Sequence, residues 1–492
     1  MSRFTVRALW VSLSLASLTC VRADEPAPAP VPALTLDACV ARAMQKNFTL
    51  QIQNYSTDVA REALNVSKTA FDPTFTATVT RSATEVAQKS SSGGLHSDST
   101  TARLGVNQTI ASGATVELST GLDRASSNST VYLLNPSYAS DVALTVSQPL
   151  LRGAGLRVNR AQIERSKIGV TIALLDYRGQ VLQVIRDTEV AYYNLVYARG
   201  QLGVKQHSLE LAQRLLDENR TRKATGVATD LDVLSAEVGV ANAQNGIITA
   251  EQSVRNSEDA LVALIGQFEF DQPVGDVALT TDTEATPTFD FSYKLARERQ
   301  PDYLATQALI KQLELDVTTT KNAALPTVNV GGTLGYNGTD RTYGTAFNRM
   351  TEPDGYNWEL DLNVSVPWGL RADRARLRSA QASLRQEEAR LRQLDQNLLV
   401  EVRTAVRAVD TNRQSVEIYT KATQLAEKQY ELELARFKAG LSTSRQVLQI
   451  QDDLEAARLN ELSARVNLRT AIANLHQIES SSLDRYRVAI AE

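Results

Sequence analysis

Trp358-Glu-Leu-Asp-Leu-Asn-Val-Ser-Val-Pro-Trp368, followed after Gly369 by the run from Arg371 to Lys438, decides how this chain is read. In the first segment Leu360, Leu362, Val364 and Val366 alternate with Glu359, Asp361, Asn363 and Ser365. Period two puts the apolar set on one face and the polar set on the other. A tilted strand of about ten residues spans the roughly 25 Å apolar band of an outer-membrane barrel, and Trp358 and Trp368 suit its two aromatic girdles. The second segment changes period. Leu377, Leu384, Leu391 and Leu398 recur every seventh residue, and Ile418, Leu425 and Leu432 resume the step. No Gly or Pro lies between Arg371 and Lys438, which predicts one helix of about 68 residues, roughly 100 Å long. A lipid-matched strand running straight into so long a rod predicts a channel that begins in a bilayer and reaches far into water.

Composition fits that reading. The 492 residues allow several domains or one very elongated one. Charged residues make up 22% and the formal net charge is -4, so no bulk basicity points to nucleic acid. No stretch of the mature chain approaches the roughly 18 apolar residues of a membrane-spanning helix, so any crossing is made by strands. Residues 1–23 read as a signal peptide: Arg3 and Arg7, an apolar middle from Ala8 to Leu18, and Val21-Arg22-Ala23 as the cleavage site. Cys20 offers a lipid-attachment alternative, although Ser17-Leu18-Thr19 is a poor context for it. Cleavage leaves Cys39 as the one cysteine, which reads as a small apolar residue on a helix and can form no internal disulfide. Residues 24–33 are a Pro/Ala-rich leader.

The pattern occurs twice. The first repeat, 34–266, is expected to hold a helix over Leu34–Ala70 with Thr35 as N-cap, strands within about 72–149, and a helical hairpin over 158–266. Its alternating stretches centre on Phe75, Ala77 and Val79; on Leu104 and Val106; on Val116 and Leu118; and on Val142 and Leu144, separated by Ser/Gly/Asn-rich segments at Lys89–Thr100 and Asp123–Ala139. A linker, 267–291, carries Pro273, Gly275 and Pro287. The second repeat, 292–478, is expected to hold a helix over Tyr293–Ala324, strands within about 327–367 and a hairpin over 371–478, before a tail at 479–492. Lys46-Asn-Phe-Thr-Leu50 corresponds to Gln300-Pro-Asp-Tyr-Leu304, and Lys223–Leu234 aligns with Phe437–Leu448 across the two hairpin turns. A duplication fixes architecture more firmly than any single motif. The first half has room for four strands and the second for two.

On these features, the duplicated order, the Gln148-Pro-Leu and Val366-Pro-Trp strand exits and the turns at Gly226 and Gly440, the chain resembles the bacterial outer membrane efflux protein (TolC) family from Leu34 to about Ile478. The resemblance implies a mixed, mainly α fold: a duplicated helix–strands–long coiled-coil hairpin unit, three copies of which form an outer-membrane β-barrel continued by a periplasmic α-helical barrel. It implies a passive exit duct for efflux or type I secretion, a homotrimer in outer-membrane lipid that docks to a periplasmic adaptor protein and an inner-membrane transporter. Pooling strands among copies is physically required, because an open sheet edge in lipid leaves backbone groups unsatisfied. Two other classes compete. An adaptor would need one hairpin flanked by β-rich domains, and a coiled-coil scaffold would leave the alternating strands unexplained.

No enzyme, cofactor or metal is called for. His96, His207 and His476 are scattered, and Arg152-Gly-Ala-Gly155 lacks the Lys-Ser/Thr of a phosphate loop. The basic run Arg371–Arg392 is interrupted by Asp373, Glu387 and Glu388 and reads as a solvated helix face rather than a nucleic-acid site. The resemblance assigns adaptor-docking tips to Thr225, Gly226, Val227, Ala439, Gly440 and Leu441. It also suggests an entrance constriction at Asp230 and Asp232, where the second half departs with Gln446 and Gln449. The plainer reading is that both aspartates are favourable charges at a helix N-terminus. Arg103, Glu117, Glu359 and Asp361 alternate with apolar neighbours and are expected to face the barrel lumen.

Overall fold

The computed structural model describes residues 34–86, 95–128, 132–266, 268–270, 274–279, 288–366 and 368–488. The signal peptide, Cys20 and the leader lie outside the described residues.

The first half runs α1 (Leu36–Lys46), α2 (Phe48–Lys68), β1 (Thr74–Val86), β2 (Leu95–Thr109), β3 (Thr115–Ser127), β4 (Ser137–Pro149), α3 (Leu156–Asn159), α4 (Ala161–Ala224) and α5 (Asp230–Ile265). The second runs α6 (Phe289–Arg299), α7 (Pro301–Ala323), β5 (Thr327–Asp340), α8 (Tyr343–Arg349), β6 (Tyr356–Ser365), α9 (Arg371–Lys438), α10 (Ser444–Glu479) and α11 (Ser482–Arg485). The Gly- and Pro-free run from Arg371 is one helix of 68 residues.

All six strands form a single antiparallel sheet in the order β1-β2-β3-β4-β5-β6. Its register lines up residues of one parity into rows. One row reads Phe75, Val106, Leu118, Leu144, Leu334 and Trp358, apolar from edge to edge. On the opposite face a row reads Thr74, Asn107, Glu117, Thr145, Thr333 and Glu359, polar throughout. The apolar face is open along these rows, with Phe75 77% exposed and Trp358 70%, and among the described residues α8 packs against it only at the Gly338 end of β5.

Below the sheet the helices pack side by side. Next to the strands the order is α2–α4–α7–α9, and further down it is α5–α4–α10–α9. The main core gathers α1, α2, α4 and α5, with Val181, Ile185, Tyr192 and Leu195 of α4 against Cys39, Val40 and Leu50. Burial pushes the Cys39 thiol up to about 12, as befits a small apolar residue. The tail folds back as α11, placing Leu483 in this core.

Five sequence expectations need correction. Leu34–Ala70 is two helices broken at Asn47, which is extended at φ -67° and ψ 124°; its side chain accepts from the N–H groups of Thr49 and Leu50 and restarts the helix. Tyr293–Ala324 likewise breaks at Gln300, φ -65° and ψ 124°, because Pro301 disfavours a helical residue before it and needs no donor at the first helical position. Asn47 therefore matches Gln300, and Leu50 matches the equally buried Tyr303, one residue off the sequence alignment. The polar segments taken as loops are shorter, since β2 begins at Leu95, β3 runs to Ser127 and β4 begins at Ser137. Finally, β6 ends at Ser365, so Trp368 lies beyond the strand and is fully exposed.

Candidate functional site

The two hairpin turns share one construction. At the end of α4, Gly226 takes φ 80°, its N–H donates to the Lys223 carbonyl at 2.9 Å, and Val227 N–H donates to Arg222 at 2.9 Å. At the end of α9, Gly440 takes φ 76°, donating to Phe437 at 3.0 Å, while Leu441 N–H donates to Arg436 at 2.8 Å. This pair of bonds satisfies carbonyls that a helix end otherwise leaves open, and the left-handed residue is cheap only as glycine. Thr225, Val227, Ala439 and Leu441 surround the two glycines and are exposed, Val227 at 67% and Leu441 at 71%. Leu231 on the returning helix adds a further exposed apolar side chain.

The returning helices are capped alike and charged differently. The Thr229 hydroxyl accepts from Asp232 N–H and the Thr443 hydroxyl accepts from Gln446 N–H, both at 3.3 Å. The Asp232 carboxylate reaches back to accept from Thr229 N–H at 2.9 Å and from its hydroxyl at 2.7 Å, closing a capping box. These bonds, the backbone one first, hold the Asp232 carboxyl below the usual carboxylate range. Asp230 is ion-paired with Lys223. In the second half Gln446 is exposed, and Gln449 donates to Asp453 at 3.2 Å. The aspartates are thus engaged in local structure, with no counterpart on the other hairpin.

The tips are also locked to each other. Arg222 donates to the Phe437 carbonyl, and buried Asn219 donates to the buried Ser444 hydroxyl at 2.8 Å. Leu215, Phe437 and Val447 close a small apolar cluster between them. Sequence reading missed these bonds, since nothing in heptad spacing says which rods lie side by side.

In the sheet, Arg103, Glu117, Glu359 and Asp361 fall on one face, the polar one. Asp123 and Asp141 join them, with Arg103 Nη2 3.8 Å from Asp123 Oδ2. Asp123 was hidden by assigning Asp123–Ala139 to a loop, and Asp141 falls just before the alternation read from Val142. Trp358 lies on the apolar face beside Leu334. Among the described residues no cluster of three His, Cys, Asp or Glu side chains could hold a metal ion, and no helix is long and apolar enough to cross a membrane.

Comparison with known proteins gives a consistent picture. The family model described as "Outer membrane efflux protein" matches residues 115–267 and 292–479. The pyoverdine export outer membrane protein OpmQ of Pseudomonas putida is 25% identical over 73% of this chain and 74% of its own length. The outer membrane protein TolC of Vibrio cholerae is 21% identical over 61% of this chain and 69% of its own. Among solved structures, the outer-membrane channel OprN superposes with a TM-score of 0.70 at 17% identity, covering 90% of this chain and 89% of OprN. VceC of Vibrio cholerae superposes at 0.68 and 14%, covering 90% and 95%.

Proposed function

This chain belongs to the outer membrane efflux protein family, and from that premise we propose that three copies close into one duct through the outer membrane, continued by a periplasmic tube of helices. The chain is an outer-membrane efflux channel, the passive last section of a tripartite exporter. The trimer, the closed barrel and the docking partners are our reading.

One observation carries it. Every layer of the molecule has two open edges, one from each half of the chain: β1 and β6 in the sheet, α2 and α9 beneath it, α5 and α9 lower down. Both helix edges display exposed apolar stripes, with Ile418, Leu425 and Leu432 at heptad spacing on α9, and on α5 Leu231 and Val238 seven apart with Ile248 ten residues further, all more than half exposed. Such stripes are seams awaiting another helix. Strand edges in lipid are untenable for the same chain that exposes them, so further copies must cover all three layers together. A wall built this way is water-filled inside, where the polar face of the sheet looks.

At the far end the exposed Val227, Leu231 and Leu441 around Gly226 and Gly440 form the surface we assign to the periplasmic adaptor, which connects the duct to an inner-membrane transporter. Trp358 and Trp368 are assigned to the two interfacial girdles, and Arg103, Glu117, Glu359 and Asp361 to the lumen. Asp230 and Asp232 act first as helix-terminal charges, and their contribution to an entrance constriction comes only from the first half.

Density-gradient fractionation combined with unheated gel electrophoresis tests this. Heat-sensitive trimers in the outer-membrane fraction are expected; monomeric protein in the soluble periplasm would instead support an adaptor or scaffold.

A further inference from the structure

We propose that the β1–β2 hairpin is part of the membrane wall, so that each copy lends six strands and its β1 edge pairs with the β6 edge of the next copy. The inference rests on the trimeric-duct reading and specifies its seam.

The two halves are unequal here. Between α7 and α9 the second half holds one hairpin, β5–β6, whereas between α2 and α4 the first half holds two. The match to the family model begins at Thr115, the first residue of β3, and leaves β1 and β2 out. An added hairpin could stand as a rim decoration or continue the wall. Three observations place it in the wall.

First, β2 pairs with β3 without interruption from Ser97–Ser127 to Thr109–Thr115, and β1 pairs with β2 from Thr74–Asn107 to Val86–Leu95. A hairpin lifted off the barrel would not share a full ladder with the strand beside it. Second, the lipid band runs through it. Phe75 and Val106 extend the apolar row of Leu118, Leu144, Leu334 and Trp358, and Ala77 and Leu104 extend the next row, which only Thr120 interrupts. On the other face Thr74, Thr76 and Thr78 continue the polar parity. Phe75 and Val79 are each 77% exposed, a placement that lipid favours and water does not. Third, the turn joining β2 to β3 is built into the base of the wall. The Ser112 carbonyl accepts from Gly155 N–H at 3.0 Å and its hydroxyl donates to Gln148 at 3.1 Å. Gly113, at φ 96°, lies so close that a Cβ there would stand 2.8 Å from Asn159 Nδ2.

The free edges then follow. β1 is exposed along all thirteen residues and β6 along all ten, with no proline inside either strand to blunt pairing. Three six-stranded sheets make an eighteen-stranded barrel, in the range that encloses an aqueous channel, and its diameter is about 1.5 times that of a wall lacking the hairpin.

Cysteine pairs across the seam test this in the intact trimer, and Cys39 is too deeply buried to interfere. Thr76→Cys and Thr78→Cys in β1 are each combined with Asn357→Cys or Asn363→Cys in β6; comparison pairs place Thr115→Cys or Ser119→Cys of β3 against the same β6 sites. Oxidation is expected to give covalent dimers and trimers from β1–β6 pairs only. Crosslinks from β3–β6 pairs alone would overturn the proposal while leaving the trimer intact, and absence of any trimer in the parent protein would overturn the duct itself. Spin labels at single cysteines from 75 to 80, in trimers reconstituted in lipid, give a second readout. Oxygen accessibility should peak at 75, 77 and 79 and nickel-chelate accessibility at 76, 78 and 80; chelate access at every position would put the hairpin in water and sink the idea.

Discussion

The guanidinium of Arg222, one turn before the first hairpin's tip, donates to the Phe437 carbonyl at the second hairpin's tip at 2.6 Å and lies 4.5 Å from the centroid of the Phe437 ring. One side chain thereby bridges the ends of two rods that meet the sequence 215 residues apart. A charge-assisted hydrogen bond contributes about 1.5–3 kcal/mol and a cation–π contact about 0.5–2 kcal/mol. Arg222→Ala should therefore loosen the tips without unfolding the trimer. Hydrogen exchange of the amides at 436–445 is expected to accelerate at least tenfold, with the sheet unchanged. Arg222→Lys, which keeps charge but loses the planar stack, should fall between. Unaltered exchange in Arg222→Ala would show that the tips are held by Asn219 and the apolar cluster instead.

Gly226 and Gly440 separate backbone need from docking. A Cβ at either glycine would meet nothing within 4 Å, so the cost of a side chain is the left-handed conformation alone. That cost is roughly 1–2 kcal/mol for alanine and less for asparagine, which tolerates the region. In isolated trimers Gly226→Asn and Gly440→Asn should melt closer to the parent than the alanine variants do. If the adaptor seats against these turns, however, asparagine should impair export as strongly as alanine or more. Full export by the asparagine variants would remove the glycines from the docking surface and leave them purely structural.

The long elements were legible in sequence because their signals are local and repeated. The absence of Gly and Pro fixed the limits of α9, and the Gly226 and Gly440 turns were recognisable from their alignment. Strand limits were harder. Alternation marks only the part of each strand that meets lipid, whereas the ladder continues through backbone bonds to the row of Arg81, Thr100 and Arg124. Hence Asp123 was lost to a loop, and Asp141 fell just before the alternation read from Val142. The helix α8 inside the β5–β6 connection carries seven residues, too few for a periodicity, and is held by Ala346 packed under Gly338. The breaks at Asn47 and Gln300 had signals of unequal strength. Pro301 announced one, but Asn47 ends one helix with its backbone N–H and starts the next with its side chain, which spacing alone does not reveal.

The capping box of Asp232 decides when that carboxyl titrates. Its carboxyl is held below the ordinary value, about 3.9, by hydrogen bonds made only in the folded state. The stabilisation is therefore complete above about pH 4 and is lost as pH falls through the lower folded value. Between pH 5 and 8 this group does not titrate, so conductance attributable to it should be constant. Asp232→Asn should remove the acid-induced loosening below pH 4, and Asp232→Ala should cost the N-terminus of α5 about 0.3–1.5 kcal/mol at every pH above that. Single-channel recording from pH 8 to 3 checks both. A transition near pH 6 that disappears in Asp232→Ala would mean the carboxylate sits in a far more anionic constriction than one copy shows.

Opposite faces of β6 should respond in opposite ways to charge. Leu360, in the middle of the apolar set, is 73% exposed on the face assigned to lipid, and Asp361 follows it on the face assigned to the lumen. Leu360→Arg should disrupt assembly, since an arginine at mid-bilayer depth costs about 2–4 kcal/mol and three copies incur it together. Asp361→Asn should leave unheated trimers intact and reduce cation preference, because Glu117, Asp123, Asp141 and Glu359 share its face with Arg103 as the single cation among these six. The ladder adds a further constraint: Gly331 stands directly across from Asp361, and a Cβ there would collide with the carboxylate. Gly331→Ala should thus reduce trimer yield in the parent and less so in Asp361→Ala, where the space is vacated. Measured as trimer on unheated gels and as reversal potential in a salt gradient, these variants separate wall from lumen. Normal trimers from Leu360→Arg together with lost trimers from Asp361→Asn would invert the sheet and overturn the assignment of its faces.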